Sequence, residues 1–123
     1  MSAFLADTHI PLWNWSTPQR IPKRFLEILD SGVTVWVSHV TLWEIAIKDT
    51  RLPVKVPRDM VGALEAEGFQ LLPIELEDVL GVRSLPRHHG DPFDRLLIVQ
   101  AQRRNLTLMS ADREFRSYDV ALA

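Results

Sequence analysis

Four short apolar runs, AFLA at 3–6, TVWV at 34–37, FQLLPI at 69–74 and TLMS at 107–110, alternate with longer amphipathic stretches. That alternation is the signature of β-α units, and it commits the chain to an α/β fold around a mostly parallel sheet. The first run reads as a short buried strand ending at Asp7, and the spacing predicts a helix from Pro18 to Asp30, stopped by Ser31 and Gly32. TVWV makes the second strand, after which Ser38 caps the helix VTLWEIAIK. Pro53 and Pro57 break the chain, a helix over 58–67 ends at Gly68, and FQLLPI forms the third strand. A short helix over 75–85, a polar loop over 86–90 and a helix running to Asn105 follow. TLMS is the fourth strand, a short helix carries Asp112, and YDVALA at 118–123 reads as a weak last strand.

At 123 residues, 46% of them hydrophobic, the chain has the size of one domain, 1–123, with a full core and no room for a second. With no cysteine there are no disulfides or thiolate metal sites, and with no signal-like start or membrane-length apolar run the expected location is the cytoplasm. A net charge of -2 excludes a general electrostatic affinity for nucleic acid, so any such contact must be local. Lysine occurs just at Lys23, Lys48 and Lys55, and the other basic residues are arginine, the better fork for phosphate. Arg83, Arg87, Arg95, Arg103, Arg104, Arg113 and Arg116 fall in the half that holds most of the acids, as a positive rim around a negative centre would require. The plainer reading is a solvated helical surface, with Arg103 and Arg104 answering a helix dipole.

The acids stand at telling places. Asp7 lies where the first strand stops, and Asp112 lies two residues past TLMS. In an open parallel sheet, ligands bind beyond the carboxyl ends of the strands, so both acids point to one rim. Glu44, two turns into the helix after the second strand, and Asp94, one turn into its own helix, reach toward the same rim. Each acid also has a plain reading. Asp7 and Thr8 could start a helix, Glu44 has Lys48 at i+4, and Asp112 could face a dipole. In the segment HGDPFDRLLIVQA, Asp91 suits an N-cap, Pro92 the first helical position and Asp94 the third. If Asp7, Glu44, Asp94 and Asp112 converge, like charges at 4 Å repel by roughly 4 kcal/mol at an effective dielectric of 20. Oxygen ligands without cysteine point to a hard cation, Mg²⁺ or Mn²⁺, and such ions activate water for phosphodiester hydrolysis.

The segments DTHIPLW at 7–13, SHVTLWEIAIK at 38–48, LPRHHGDPFDRLLIVQA at 85–101 and LMSADREF at 108–115 together resemble the PIN domain, specifically the VapC-type toxins of type II toxin-antitoxin systems. The resemblance covers nearly the whole chain in order and spacing. It implies a three-layer α/β/α sandwich and a Mg²⁺- or Mn²⁺-dependent endoribonuclease. By motif position, Asp7, Glu44, Asp94 and Asp112 match the family's catalytic, metal-binding acids. Thr8 and Ser110 match small hydroxyl positions that orient them, and Asp91 matches a further acid that assists through water or by capping. Pro11 and the stretch HHGD depart from the commoner pattern without removing an acid. The resemblance also implies a VapB-like antitoxin whose C-terminal segment obstructs the acidic pocket, an RNA substrate such as tRNA or another structured RNA, and a homodimer or larger toxin-antitoxin assembly. Trp13, Trp15, Trp36 and Trp43 are candidate groove or interface anchors, with core packing the stronger reading for Trp36.

Two other classes compete. His9, His39, His88 and His89 could supply metal-free acid-base ribonuclease chemistry, which EDTA would spare and which would leave a cyclic phosphate. A non-enzymatic module is the other, either receiver-like or an inactive PIN relative that binds antitoxin. A receiver would want paired acids after the first strand, and Asp7-Thr8-His9 does not provide them.

Overall fold

The computed structural model describes residues 3–123. Its sheet comprises β1 (Phe4–Ala6), β2 (Val35–Ser38), β3 (Gln70–Leu72) and β4 (Thr107–Met109), in the order β3-β2-β1-β4 with every pairing parallel. The helices are α1 (His9–Ser16), α2 (Lys23–Asp30), α3 (His39–Lys48), α4 (Met60–Ala66), α5 (Leu76–Gly81) and α6 (Pro92–Arg104).

Alternate residues of a strand face opposite sides of a sheet, and the core divides accordingly. Leu5 and Leu108 pack with Leu97, Ile98 and Phe115 on one side, while Ala6 and Met109 pack with Ile10, Phe25 and Leu64 on the other. Thus α1, α2 and α4 cover one face and α6 the other, with α3 and α5 in contact with α6. This is the three-layer α/β/α sandwich. Burial on both faces explains why the strands read as short apolar runs, each fully buried large side chain contributing about 1.5–3 kcal/mol.

The strand order positions the site. The chain moves outward from β1 through β2 to β3, then returns to place β4 on the other side of β1. Sheet order therefore reverses between β1 and β4, and ligand clefts of open α/β sheets lie at such a reversal, outside the carboxyl ends of the strands. Asp7 follows β1 directly and its amide donates to the Met109 carbonyl at 3.1 Å, so the crevice opens at Asp7 and Ser110.

Several elements differ from expectation. Helix α1 follows the start that Asp7 and Thr8 could provide, but its extent was not foreseen, because its eight residues HIPLWNWS are apolar on most sides and Pro11 reads as a breaker. Pro11 is third in the helix, where its missing N–H would have had no intrahelical partner. The helix expected over 18–30 is split into a 3₁₀ turn, Pro18–Arg20, and α2. Pro22 holds Ile21 extended (φ -69°, ψ 121°) and so interrupts the helix. The helix over 75–85 likewise finishes as a 3₁₀ turn, Val82–Ser84, and Asp112 precedes a 3₁₀ turn, Arg113–Ser117, rather than an α-helix. YDVALA contributes one parallel bridge, Leu122 to Leu108, instead of a strand. The expected stops do operate: Gly68 after α4 adopts φ 92° and Asn105 after α6 adopts φ 53°. Among the described residues no helix is long and apolar enough to cross a membrane.

Candidate functional site

A cavity of about 260 Å³ opens at the sheet reversal, and its lining includes Glu44, Asp91, Asp94, Asp112 and Glu114 against one lysine, Lys48. Asp7, next to the lining residue Thr8, is buried: its carboxylate accepts from the His9 amide (3.0 Å) and from the Ser110 hydroxyl. The Ser110 oxygen in turn accepts from the Asp112 amide at 3.0 Å, tying the end of β4 to the end of β1.

Glu44 is buried on α3, so its pair with Lys48 (2.7 Å) is not the ordinary exposed pair that i+4 spacing allows. The second Glu44 oxygen accepts from the Thr8 hydroxyl at 2.6 Å, and Thr8 also lies 3.4 Å from the Thr41 hydroxyl. With its hydroxyl directed at Glu44, Thr8 leaves its own helix uncapped, and the carboxylate of Asp7 takes the His9 amide instead. Helix α3 is capped as expected, Ser38 accepting from the Val40 amide at 3.0 Å.

Asp91 caps α6 by accepting from the Asp94 amide at 3.0 Å while also lining the cavity. Asp94 thereby sits in the first helical turn, and its carboxyl is pushed up to about 7. Burial is the largest cause, followed by the charges of Asp91, Glu44, Asp7 and Asp112. Asp112 accepts from the Glu114 amide at 2.9 Å, capping the 3₁₀ turn that brings Glu114 to the cavity. His9 titrates above its ordinary range, raised chiefly by the Asp7 carboxylate, an oxygen of which lies 3.7 Å from Nδ1.

Three of the four expected acids, Glu44, Asp94 and Asp112, therefore line one cavity, and Asp7 is buried near enough for its charge to raise the Asp94 carboxyl. A trio with ligating atoms all within 4.8 Å of one another is formed by His89, Asp94 and Glu114. Neither His89 nor Glu114 was marked as a ligand by the sequence. Glu114 is two residues from Asp112, and a turn rather than a motif carries it in. His88 is exposed and stacks edge-on against Tyr118, while His89 is largely buried, so the adjacent histidines have different surroundings.

The expected arginine rim is corrected at three positions. Arg95 is buried and donates to the backbone carbonyls of Val82, Leu85 and Pro86 and to the Tyr118 hydroxyl, holding the loop ahead of α6. Arg103 and Arg104 pair with Asp78 and Glu75 at the opposite end of α6, about 18 Å along the helix at 1.5 Å per residue. Arg83, Arg87, Arg113 and Arg116 remain exposed. Asp78 is fully buried, and although burial opposes its ionisation, hydrogen bonds from Arg104, the Glu75 amide, Arg103 and Gln100 hold it well below the usual carboxylate range.

The tryptophans divide. Trp36 packs against the core, Trp43 is half exposed with its ring 4.8 Å from Phe93, and Trp15 donates to Glu67 at 2.8 Å. Trp13 lines a second, more apolar groove of about 470 Å³ that shares His9, Leu12 and Leu52 with the acidic cavity.

The PIN domain family model matches residues 4–121. Ribonuclease VapC22 of Mycobacterium tuberculosis is 25% identical, the match covering 96% of this chain and 93% of that protein. In fold the chain is similar to VapBC2 from Rickettsia felis, solved bound to a promoter DNA fragment (TM-score 0.75, 15% identity, 98% and 97% of the two chains). DNA-bound VapBC from Salmonella typhimurium is similar too (TM-score 0.69, 15% identity, 99% and 96%). With the acids gathered at the reversal of a four-stranded parallel sheet and the family model spanning almost its full length, the chain belongs to the PIN domain family.

Proposed function

We propose that this protein is the toxin of a toxin-antitoxin pair, an endoribonuclease that hydrolyses RNA phosphodiesters with Mg²⁺ or Mn²⁺ held by Asp7, Glu44, Asp94 and Asp112. The observation that carries the reading is the gathering of Glu44, Asp91, Asp94, Asp112 and Glu114 around one cavity with Asp7 buried next to it, an accumulation of carboxylates that raises the Asp94 carboxyl. A cavity with that much uncompensated negative charge fits a divalent cation. Its one lysine is already committed to Glu44. When bound, such an ion supplies Lewis acidity to the scissile phosphate and a water ionised at neutral pH.

The chain's own residues do the rest. Ser110 and the His9 amide fix the Asp7 carboxylate, and Thr8 and Lys48 fix Glu44, leaving further lone pairs on each group for a cation. Asp91 sets the start of α6, and with it the place of Asp94. Arg87, Arg113 and Arg116, exposed on the segments that frame the site, are the residues available for RNA phosphates.

Partner and setting follow from the same reading. Solved relatives are VapBC complexes, and the apolar groove beside the cavity offers a bed for the end of a VapB-like antitoxin that blocks the acids. The protein works in the cytoplasm, where RNA such as tRNA is within reach.

The test is cleavage of labelled RNAs, intact tRNA included, by the purified chain with Mn²⁺ or Mg²⁺, with EDTA, and as Asp7→Asn. Cutting that needs both the metal and Asp7, and leaves 5′ phosphates, is expected. Cutting that survives EDTA and the substitution overturns the reading in favour of histidine chemistry, and no cutting of any RNA with Mn²⁺ overturns it in favour of an inactive antitoxin-binding module.

A further inference from the structure

His89 lies in the loop ahead of α6, fixed by three contacts to two neighbours. Its amide donates to the Tyr118 hydroxyl at 3.2 Å, and its ring packs edge-on against Tyr118 (5.3 Å) and Phe115 (6.4 Å). Both ring nitrogens are shut off from solvent and neither has a hydrogen-bond partner. Buried polar atoms are rarely left so, because an unsatisfied group costs about 1–3 kcal/mol. Nε2 stands 3.7 Å from a Glu114 oxygen, beyond hydrogen-bond range. One ligand atom from each of His89, Asp94 and Glu114 lies within 4.8 Å of the other two. Ligands at about 2.1 Å from a common ion stand roughly 3–4 Å apart, a range that His89 and Glu114 already meet at 3.7 Å, so side-chain turns of about an ångström would close the trio.

We propose that His89, Asp94 and Glu114 form a cation site with a nitrogen donor, and that the imidazole makes this site prefer transition-metal ions from Mn²⁺ to Zn²⁺ over Mg²⁺. The inference deepens the metal-dependent reading and rests on it for the cation at Asp94. Imidazole suits transition metals and stabilises their complexes along the Irving–Williams series, whereas Mg²⁺ keeps to oxygen. The aromatic packing from Phe115 and Tyr118 and the caps at Asp91 and Asp112 fix the backbone of all three donors, so the site needs side-chain adjustment rather than folding.

The test is pulsed electron paramagnetic resonance of Mn²⁺ bound to the tag-free full chain, with Zn²⁺ and Mg²⁺ as competitors. Nitrogen coupling to Mn²⁺ is expected, lost in His89→Phe and kept in His9→Phe, the control for the imidazole beside Asp7. His89→Phe should also weaken Zn²⁺ binding by about tenfold or more while leaving Mg²⁺ binding unchanged. Mn²⁺ bound without nitrogen coupling would reduce His89 and Glu114 to a plain ion pair and overturn this site alone. Coupling that disappears with His9→Phe assigns the nitrogen elsewhere and overturns it equally. A chain that binds no Mn²⁺ at all overturns the metal-dependent reading as well. If His89→Phe does not fold by circular dichroism, Glu114→Gln takes its place, and Zn²⁺ affinity unchanged in that variant refutes the proposal.

Discussion

The Ser110 hydroxyl donates a hydrogen bond to the Asp7 carboxylate, joining residues 103 positions apart. It spans the reversal of the sheet and fixes the acid beside Thr8, which lines the cavity. Removing it leaves Asp7 in place with one fewer constraint. On the proposed role of Asp7 as a metal ligand, Ser110→Ala is expected to lower RNA cleavage and Mn²⁺ affinity by about 10–100-fold, the range for losing a residue that orients such a ligand. The stability loss is about 1.5–3 kcal/mol, the range for a hydrogen bond to a charged group. Titration with Mn²⁺ alongside a denaturation curve separates the two, and an unchanged affinity would remove Ser110 from the machinery.

Asp94→Asn should abolish cleavage yet stabilise the metal-free protein. Its carboxyl is raised to about 7 against an ordinary value near 3.8, so the folded state holds its proton more tightly than the unfolded state does. That contribution to stability is complete below about pH 4 and is lost as pH rises through 7. In EDTA at pH 8, where the wild type must ionise the group, the variant should melt higher by roughly 4 °C, or about 1 kcal/mol. At pH 5 the gap should be smaller, and below about pH 4 it should close. Differential scanning calorimetry at these pH values checks this, and a variant that melts lower at pH 8 would mean that repulsion is not what governs the site.

Asp78 has the opposite sign. Its folded value is depressed, so its contribution to stability is full above about pH 4 and is lost as pH falls through the folded value. Asp78→Asn should cost roughly 3–5 kcal/mol at pH 7, the range for breaking a buried ion pair on one side, and progressively less toward pH 2. Cleavage should be unaffected at temperatures where the variant is folded, because the network lies at the far end of α6. Urea denaturation across that pH range gives the answer, and a constant difference would count against the ion pairs.

Much of this was legible in the residues, for reasons that also mark where legibility ends. Parallel strands buried on both faces announce themselves as short apolar runs, so all four strands could be placed within a residue or two of 4–6, 35–38, 70–72 and 107–109. Acids after strands follow from the same topology, which is why Asp7 and Asp112 could be assigned to one rim before any geometry. The extent of helix α1 was not legible, because a helix buried on several sides has no polar stripe to give it away. Arg95 read as a surface cation because no local pattern tells a solvated arginine from one that satisfies three backbone carbonyls. His89 and Glu114 depend on a turn closing in space, and spacing along the chain does not encode it.

Of the four strands of this sheet, β1 is synthesised first and β4 last, and they are neighbours. Asp7 therefore waits for 103 further residues before Ser110 arrives to orient it, and Asp112 and Glu114 follow directly after β4. A growing polypeptide that already carries Asp7 and Glu44 holds no finished acidic pocket, because long-range pairing of this kind forms late. The rim is thus a product of closing the sheet: a chain stopped before Thr107 lacks Asp112 and Glu114 and has none of the pairing with β4 that orients Asp7.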